Sequence, residues 1–278
     1  MTPGQRAEAL VAQFGIRDPQ DLDIEAMACD AGVAVEREHL SGCEATLVGV
    51  GNRAIATIKP SPVLGRERFS LAHELGHWKM HRGRAFRCRV DDPDENLIAD
   101  RDLEKQADQF ASHLLMPGPI FNPAVKAVGN PGFRELEGLA QTFKTSLVAT
   151  SLRLANIDAL PVIVACFSQR GLVWQVPAPH VPRRWFLLRA LSEDSFAYDL
   201  MTKGTQTNMA RKQSGDVWFQ NDDAEGYELH EHSVPYRNGQ ILVLLYLGRK
   251  MLDARFDPDV ARRFTANGSY VAGRSQHR

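Results

Sequence analysis

The sequence contains no long hydrophobic run and no secretory signal. A helix that spans a membrane needs about 18 or more consecutive apolar residues, and the 278-residue chain has no run of that length. Its first residues, MTPGQRAEALVAQFG, form an amphipathic stretch that lacks the continuous apolar segment of a signal peptide. We therefore expect a cytoplasmic protein that has no membrane partner.

Paired cysteines and an excess of charge are also missing. The chain has four scattered cysteines, with no C-x-x-C pair among them: Cys29, Cys43, Cys88 and Cys166. This spacing argues against a disulfide framework and against a zinc site built from cysteine pairs. The formal net charge is −1, so the chain as a whole has no electrostatic attraction for nucleic acid or membranes.

The sequence does contain an H-E-x-x-H motif, HELGH, at positions 73–77. Residues four apart lie on the same face of a helix, so His73 and His77 would supply two ligands of a tetrahedral zinc ion. Glu74 would lie beside the metal, where it can take a proton from water as a general base. The opposite side of this helix carries an apolar stripe that would be buried: Leu71, Leu75 and Trp78.

A second helix is predicted over residues 102–117, because apolar residues recur there with helical spacing and Pro117 and Gly118 then stop it. Zinc hydrolases with two histidine ligands commonly add one carboxylate and leave the fourth position to water. Glu104 could therefore bind the zinc, while Asp108, one turn further on, accepts the second ring N–H of a ligand histidine. The alternative is that both carboxylates are ordinary solvated charges.

These two segments resemble the motifs of a known family. HELGH preceded by RFSLA, together with E-x-x-A-x-x-F-A-x-x-L-L-M-P beginning at Glu104, is similar to the ImmA/IrrE family of bacterial metallopeptidases. The resemblance covers about the first 155 residues and implies that Glu104 is the third zinc ligand. The order of elements upstream of the motif also fits the family: a helix near 21–31 and strands near 33–36, 45–50 and 54–58.

The resemblance implies a fold and an activity. The fold would be α+β, with a gluzincin-like minimal metallopeptidase domain. The activity would be that of a zinc endopeptidase that cleaves a cognate helix-turn-helix transcriptional repressor, its protein partner, and so switches on a stress, DNA-damage or phage-defence response. Zn²⁺ is the expected cofactor, and Mn²⁺ is expected to substitute for it.

Cys88 lies between the two predicted helices, among arginines that would favour its thiolate form. A thiolate is a strong zinc ligand, so Cys88 could occupy the fourth coordination position and keep the enzyme latent. The alternative is an incidental loop cysteine. Cys43 is a second candidate for the same inhibitory role.

The rest of the chain suggests further divisions. We assign a metallopeptidase domain (1–128), a helix-turn-helix-like segment (129–158), a C-terminal α/β sensor domain (159–256) and a flexible tail (257–278). Residues 118–132 are rich in Pro and Gly and are expected to form a connecting loop with about one turn of helix.

In the helix-turn-helix-like segment, Ser146 would cap the second helix. Because Arg153 is the main basic residue of that second helix, we expect the helix to pack against the metallopeptidase domain and not to read DNA.

From about residue 160 the pattern predicts β-strands. Residues 169–171 and the Asn238-Gly239 pair are hairpin turns. Members of the similar family with a C-terminal half of this size carry a GAF-like domain, which is the architecture we expect here.

Basic and aromatic residues alternate irregularly between Arg183 and Phe219. Such a mixture binds single-stranded nucleic acid, because bases stack on the rings and phosphates lie on the cations. The candidate contacts are Arg183, Arg184, Trp185, Arg211 and Lys212, and single-stranded DNA is one candidate activator. The alternatives are aromatic side chains that belong to the core, and a small-molecule or protein signal in a GAF-like pocket.

Two other functions stay open at this point. The protein could be a non-proteolytic, zinc-containing regulator that binds a transcription factor or DNA, although a purely structural zinc site would have no need of Glu74. It could also be a zinc hydrolase of small molecules, which the separate sensor-like half makes less attractive.

Overall fold

The computed structural model describes residues 1–82, 86–89, 97–204 and 210–254, with only the backbone described at 64, 86–89 and 97–100. The chain forms two compact units, Met1–Arg153 and Leu154–Arg278. Each unit combines helices with a β-sheet, which confirms the predicted mixed α and β class. None of the helices in these ranges combines the length and apolar content that crossing a membrane requires.

The first unit alternates short helices and strands before its two long helices. It opens with α1 (Pro3–Gln13), α2 (Ile24–Asp30), β1 (Val33–Arg37), β2 (Cys43–Val50) and β3 (Arg53–Ile58). It continues with α3 (Leu64–Met80), β4 (Phe86–Arg89), α4 (Leu97–Leu115), α5 (Gly118–Val128), α6 (Phe133–Phe143) and α7 (Leu147–Asn156), whose last three residues belong to the second unit. The helix and the three strands predicted ahead of the H-E-x-x-H motif are thus confirmed.

The sheet of the first unit has the strand order β1-β3-β2-β4, with β1 parallel to β3 and the other neighbours antiparallel. Its inner face follows from the strand period of two, since β3 buries Ala54, Ala56 and Ile58. That face packs against α3. The packing is so close at Gly49 that a Cβ atom there would lie 2.5 Å from the ring of Trp78.

Helix α5 replaces the connecting loop predicted for residues 118–132, and that prediction was wrong. Pro119 lies in the first turn of the helix, where a missing N–H removes no intrahelical hydrogen bond. Phe121 and Val125, four residues apart, are both buried. Burial of this face stabilises a helix although Pro123 lies inside it, and proline and glycine content alone does not show such burial.

Helices α6 and α7 confirm the predicted helical pair. Lys144 turns the chain between them with φ 53°, and the Ser146 side chain accepts a hydrogen bond from the backbone N–H of Ala149 at 3.1 Å. Arg153 on α7 is 3% exposed. Its guanidinium contacts the Met116 carbonyl at 3.0 Å, His113 at 2.8 Å and Glu8 at 3.3 Å. Arg153 therefore ties helices together inside the first unit and is not presented to DNA.

The same network predicts how the first unit responds to acid. Burial and then the charge of Arg153 lower the pKa of His113, against the opposing effect of Glu8. The unfolded chain takes up a proton on this histidine near the ordinary pKa of about 6.5, whereas the folded chain does so only at lower pH. The contribution of neutral His113 to the free energy of unfolding is therefore present above about pH 6.5 and is lost as the pH falls below that value.

We expect the free energy of unfolding to fall between about pH 7.5 and about pH 5.5, and to fall less in His113→Gln than in the wild type. Urea unfolding followed by the helical circular dichroism signal measures the difference, and comparing the two proteins cancels the other titrating groups. An equal decrease in both would contradict the assignment to His113.

The second unit is built on a five-stranded antiparallel sheet. Its elements are β5 (Val162–Ser168), β6 (Gly171–Pro177), α8 (Phe196–Lys203), β7 (Arg211–Ser214), β8 (Glu228–Tyr236), β9 (Gln240–Leu247) and α9 (Arg249–Asp253). The strand order is β6-β5-β9-β8-β7. Asn238 and Gly239 both have positive φ, 57° and 70°, as the predicted hairpin turn requires. The predicted tail, 257–278, lies outside the described residues.

A buried carboxylate organises this second unit. Glu231 on β8 is 0% exposed and accepts hydrogen bonds from two backbone N–H groups at the start of α8, those of Phe196 at 3.1 Å and Ala197 at 2.7 Å. Three side chains also donate to it: Trp218 at 3.1 Å, Gln213 at 3.2 Å and Ser233 at 2.8 Å. These contacts join helix α8 to the sheet.

Candidate metal centre

Helix α3 presents the two motif histidines on one face, as residues four apart must be. His73 is 8% exposed and His77 is 0% exposed. On the other side of the helix the predicted stripe of Leu71, Leu75 and Trp78 is buried, and the Trp78 indole donates to the carbonyl of Ala31 at 2.8 Å. This apolar packing fixes the rotation of α3 and directs both imidazoles to the opposite side.

Helix α4 brings Glu104 to the same point. One carboxylate oxygen of Glu104 lies 3.0 Å from Nε2 of His73, and the other lies 3.3 Å from Nε2 of His77. The two Nε2 atoms are themselves 3.0 Å apart. These residues form a group of potential metal ligands whose donor atoms all lie within 4.8 Å of one another.

The close approach of α3 and α4 depends on Gly76. A Cβ atom at this position would lie 3.1–3.2 Å from the side chain of Phe110 on α4, which is fully buried. A glycine inside a helix costs about 1 kcal/mol relative to alanine. The short separation of the two helices explains why a glycine occupies this position inside α3.

The three donors fit a zinc ion. Around a tetrahedral zinc with ligand bonds of about 2.0–2.1 Å, neighbouring donor atoms lie about 3.3 Å apart. The two Nε2 atoms are 3.0 Å apart, and each has a carboxylate oxygen of Glu104 at 3.0 or 3.3 Å. These separations are close to that value, and two imidazoles with one carboxylate are an established donor set for zinc. A metal at the centre would take up lone pairs from all three residues.

The charge state of Glu104 suits a cation. Burial alone would raise its pKa, but the close contacts with the imidazoles of His73 and His77 outweigh burial and lower the pKa to about 2. The carboxylate is therefore ionised at neutral pH. Metal ligands must be deprotonated to bind, so Glu104 is ready to accept a metal without first losing a proton.

The carboxylate of Asp108 lies next to the first ligand histidine. Its Oδ1 atom is 2.9 Å from Nδ1 of His73, on the side of the ring away from Glu104. An acceptor at Nδ1 places the proton there and leaves Nε2 free to bind a metal. Glu74, the neighbour of His73 on α3, is 0% exposed, so its carboxylate is shielded from bulk water.

Comparison with known proteins identifies the part of the chain that holds these residues. Residues 21–155 match the Peptidase_M78 family, described as the IrrE N-terminal-like domain. This segment is an IrrE N-terminal-like domain. The resemblance found in the two sequence motifs is thereby confirmed, and His73, His77 and Glu104 all lie within the IrrE-like domain.

A solved structure extends the likeness beyond the IrrE-like domain. A Mycobacterium tuberculosis transcriptional regulator matches with a TM-score of 0.58 and 13% sequence identity, over 90% of this chain and 77% of its own. At that identity the match shows a shared fold only. Among curated proteins, none matches the sequence significantly.

The two cysteines proposed as inhibitory ligands lie in the sheet of the IrrE-like domain. Cys88 is on β4, with its backbone opposite Ala45 of β2, and its side chain lies outside the described part of the chain. Cys43 begins β2, opposite Arg89, next to an irregularity in the strand pairing. Cys43 is half-buried and, within the described residues, does not belong to the group of converging donor atoms.

The candidate nucleic-acid contacts lie in the second unit, outside the IrrE-like domain, and do not form one exposed surface. Trp185 is 6% exposed and its indole donates to the carbonyl of Met251 at 2.9 Å, so the ring belongs to the core. Arg184 is also buried and contacts Asp223.

The other candidate contacts are more exposed, and Arg211 and Lys212 contact neighbouring side chains of the second unit. Arg211 lies over the Phe196 ring, 4.4 Å from its centroid, and Lys212 pairs with Glu228 at 2.7 Å. Arg183 is exposed. The prediction that Trp185 belongs to a surface on which bases stack was therefore wrong, because its ring packs within the core of the second unit.

Sequence reasoning missed two polar side chains near the ligands. His81, the residue after α3, lies with its Nδ1 atom 3.1 Å from Nδ1 of His77. Gln106 on α4, which no motif singled out, lies with Oε1 3.4 Å from Nε2 of His81. Only the spacing of His81, four residues after His77, pointed to the same helix face.

Proposed function

We propose that this protein is a zinc-dependent endopeptidase with a gluzincin-like catalytic domain. The observation that carries the proposal is the convergence of His73, His77 and Glu104, with the buried Glu74 directly after His73 on α3. A site that only stabilised the fold would have no use for a carboxylate held beside the ligands. Membership of the IrrE N-terminal-like domain in a peptidase family supports the same conclusion.

The chain's own residues have separate tasks. His73, His77 and Glu104 would hold a zinc ion, which when bound polarises a carbonyl group and makes water easier to deprotonate. Glu74 follows His73 directly on α3, so it can accept a proton at the site and act as general base. Asp108 keeps the proton of His73 on Nδ1, which leaves the lone pair of Nε2 directed at the centre.

We further propose that the substrate is a helix-turn-helix repressor and that its cleavage relieves repression in a stress, DNA-damage or phage-defence response. The ImmA/IrrE likeness and a similar fold in a protein named a transcriptional regulator support this choice. The antiparallel sheet of the second unit, with helix α8 joined to it through Glu231, supports a GAF-like sensor that would control cleavage.

A non-proteolytic regulator is the second candidate, because the structurally similar protein is named as a transcriptional regulator and not as a peptidase. In that case the protein would bind a transcription factor and leave it intact. DNA reading by α7 is not part of this candidate, since Arg153 is buried.

The deciding experiment mixes the full chain with a helix-turn-helix repressor encoded beside it, in Zn²⁺ or Mn²⁺, with and without a single-stranded oligonucleotide. We expect one specific cut on a gel, and Glu74→Gln to slow it by about 100- to 10,000-fold, the usual range for loss of a general base. Zinc content should be unchanged in Glu74→Gln, and the exposed Glu36→Gln serves as the matched control.

The outcomes separate the two candidates. Cutting that Glu74→Gln leaves at full rate would contradict the assigned role of Glu74. Co-purification of the two proteins without cutting in any condition would favour the non-proteolytic regulator. Cutting that needs the oligonucleotide would support single-stranded DNA as the activator.

A further inference from the structure

A histidine that binds metal through Nε2 must carry its proton on Nδ1, and that proton needs an acceptor. His73 has the carboxylate of Asp108 for this purpose, at 2.9 Å. His77 is fully buried, and its Nδ1 atom faces Nδ1 of His81 at 3.1 Å. The two ligand histidines therefore differ: one contacts a carboxylate, the other a second imidazole.

An imidazole can serve as acceptor only in one of its two neutral tautomers. For Nδ1 of His81 to accept the proton of His77, the proton of His81 must be on Nε2. That Nε2 atom lies 3.4 Å from the amide oxygen of Gln106, which can only accept a hydrogen bond. The directions agree along the whole series: His77 donates to His81, and His81 donates to Gln106.

The opposite direction would be incompatible with metal binding. If the amide group of Gln106 were turned to donate, His81 would carry its proton on Nδ1 and donate to His77. The proton of His77 would then be on Nε2, the atom that lies 3.0 Å from Nε2 of His73 and 3.3 Å from Glu104. A protonated Nε2 has no lone pair for a metal.

We propose that His81 and Gln106 form an uncharged positioning relay that holds His77 in its metal-binding tautomer. The inference rests on the metal centre of the proposed function but not on peptide cleavage. His81 is a positioning residue that acts through His77, and Gln106 acts through His81. Helix α4 then supplies one ligand, Glu104, and a partner for each ligand histidine, Asp108 directly and Gln106 through His81.

The test compares the zinc affinity of four variants of the full chain, measured by competition with a fluorescent chelator. Gln106→Leu keeps the size of the side chain but removes the acceptor, and His81→Phe removes the relay. Both are expected to weaken zinc binding about 10- to 100-fold, the usual effect of losing an outer partner of a ligand. Gln106→Glu retains an acceptor and should bind within a few-fold of the wild type. Gln109→Leu makes the same change at an exposed position of α4 and should have no effect.

A second readout needs neither metal affinity nor activity. Long-range ¹H–¹⁵N NMR spectra distinguish the two neutral tautomers of histidine, and the zinc-loaded wild type should show His81 protonated on Nε2. The Nδ1-protonated tautomer, or wild-type affinity in Gln106→Leu, would overturn the relay. The expected spectra and affinities in a protein that cuts no repressor would support the relay while contradicting only the peptidase.

Discussion

Replacing Glu104 with Gln is expected to weaken zinc binding by more than about 100-fold and to abolish peptide cleavage. This effect is larger than that of losing a residue that only hydrogen-bonds to a metal ligand. The amide has nearly the same size as the carboxylate but no charge. The loss is large because the wild-type group is an anion at neutral pH, with its pKa lowered to about 2, and because its two oxygens face both histidines. Chelator competition measures the affinity, and a gel measures the cleavage.

Glu137→Gln is the matched control for this prediction, because Glu137 on α6 is exposed and undergoes the same chemical change. The comparison with Glu74→Gln is also informative. Glu104→Gln should lose both the metal and the activity, whereas Glu74→Gln should lose the activity alone. Retention of zinc at wild-type affinity in Glu104→Gln would mean that Glu104 is not a ligand.

Replacing Glu231 with Leu is expected to destabilise the second unit by about 3 kcal/mol or more, a range typical of breaking a buried polar network. Two backbone N–H groups of α8 and the indole of Trp218 would lose their acceptor inside the protein. Each buried donor left without a partner costs about 1–3 kcal/mol. The attachment of α8 to the sheet should fail first.

Urea unfolding followed by tryptophan fluorescence tests this prediction, because three of the four tryptophans, Trp174, Trp185 and Trp218, lie in the second unit. Glu228→Leu is the control on the same strand, since its side chain is 65% exposed. A midpoint for Glu231→Leu that equals that of Glu228→Leu would show that the network contributes little to stability.

Local geometry made the first half of the metal centre predictable. The spacing of His73 and His77 determines a shared helix face, and the stripe opposite them determines which face is buried. Likewise the Asn238-Gly239 turn was predictable, because positive φ at two successive positions is a local requirement. The usual donor set of zinc hydrolases made Glu104 a candidate, and the family resemblance then favoured it over a solvated charge, since helical periodicity contains no information on the distance between α3 and α4.

Tertiary contacts explain what the pattern could not show. The basic and aromatic residues around Trp185 fit a stacking surface and a core equally well in sequence, and only packing against the rest of the unit decides between them. The proline-rich stretch of α5 became a helix because Phe121 and Val125 found a place in the core. Gln106 belongs to no motif, because its role depends on His81, which directly follows helix α3.

Glu104, Gln106 and Asp108 all lie on α4. Zinc binding would therefore depend directly on the position of α4 relative to α3. A slide of α4 along α3 by a single residue would be about 1.5 Å, whereas metal–ligand distances tolerate about 0.2 Å. Such a slide would withdraw the ligand and the partners of both histidines in one step. Any signal that shifts α4 would therefore release the ion in an all-or-none manner, and zinc release could be followed as a direct readout of that movement.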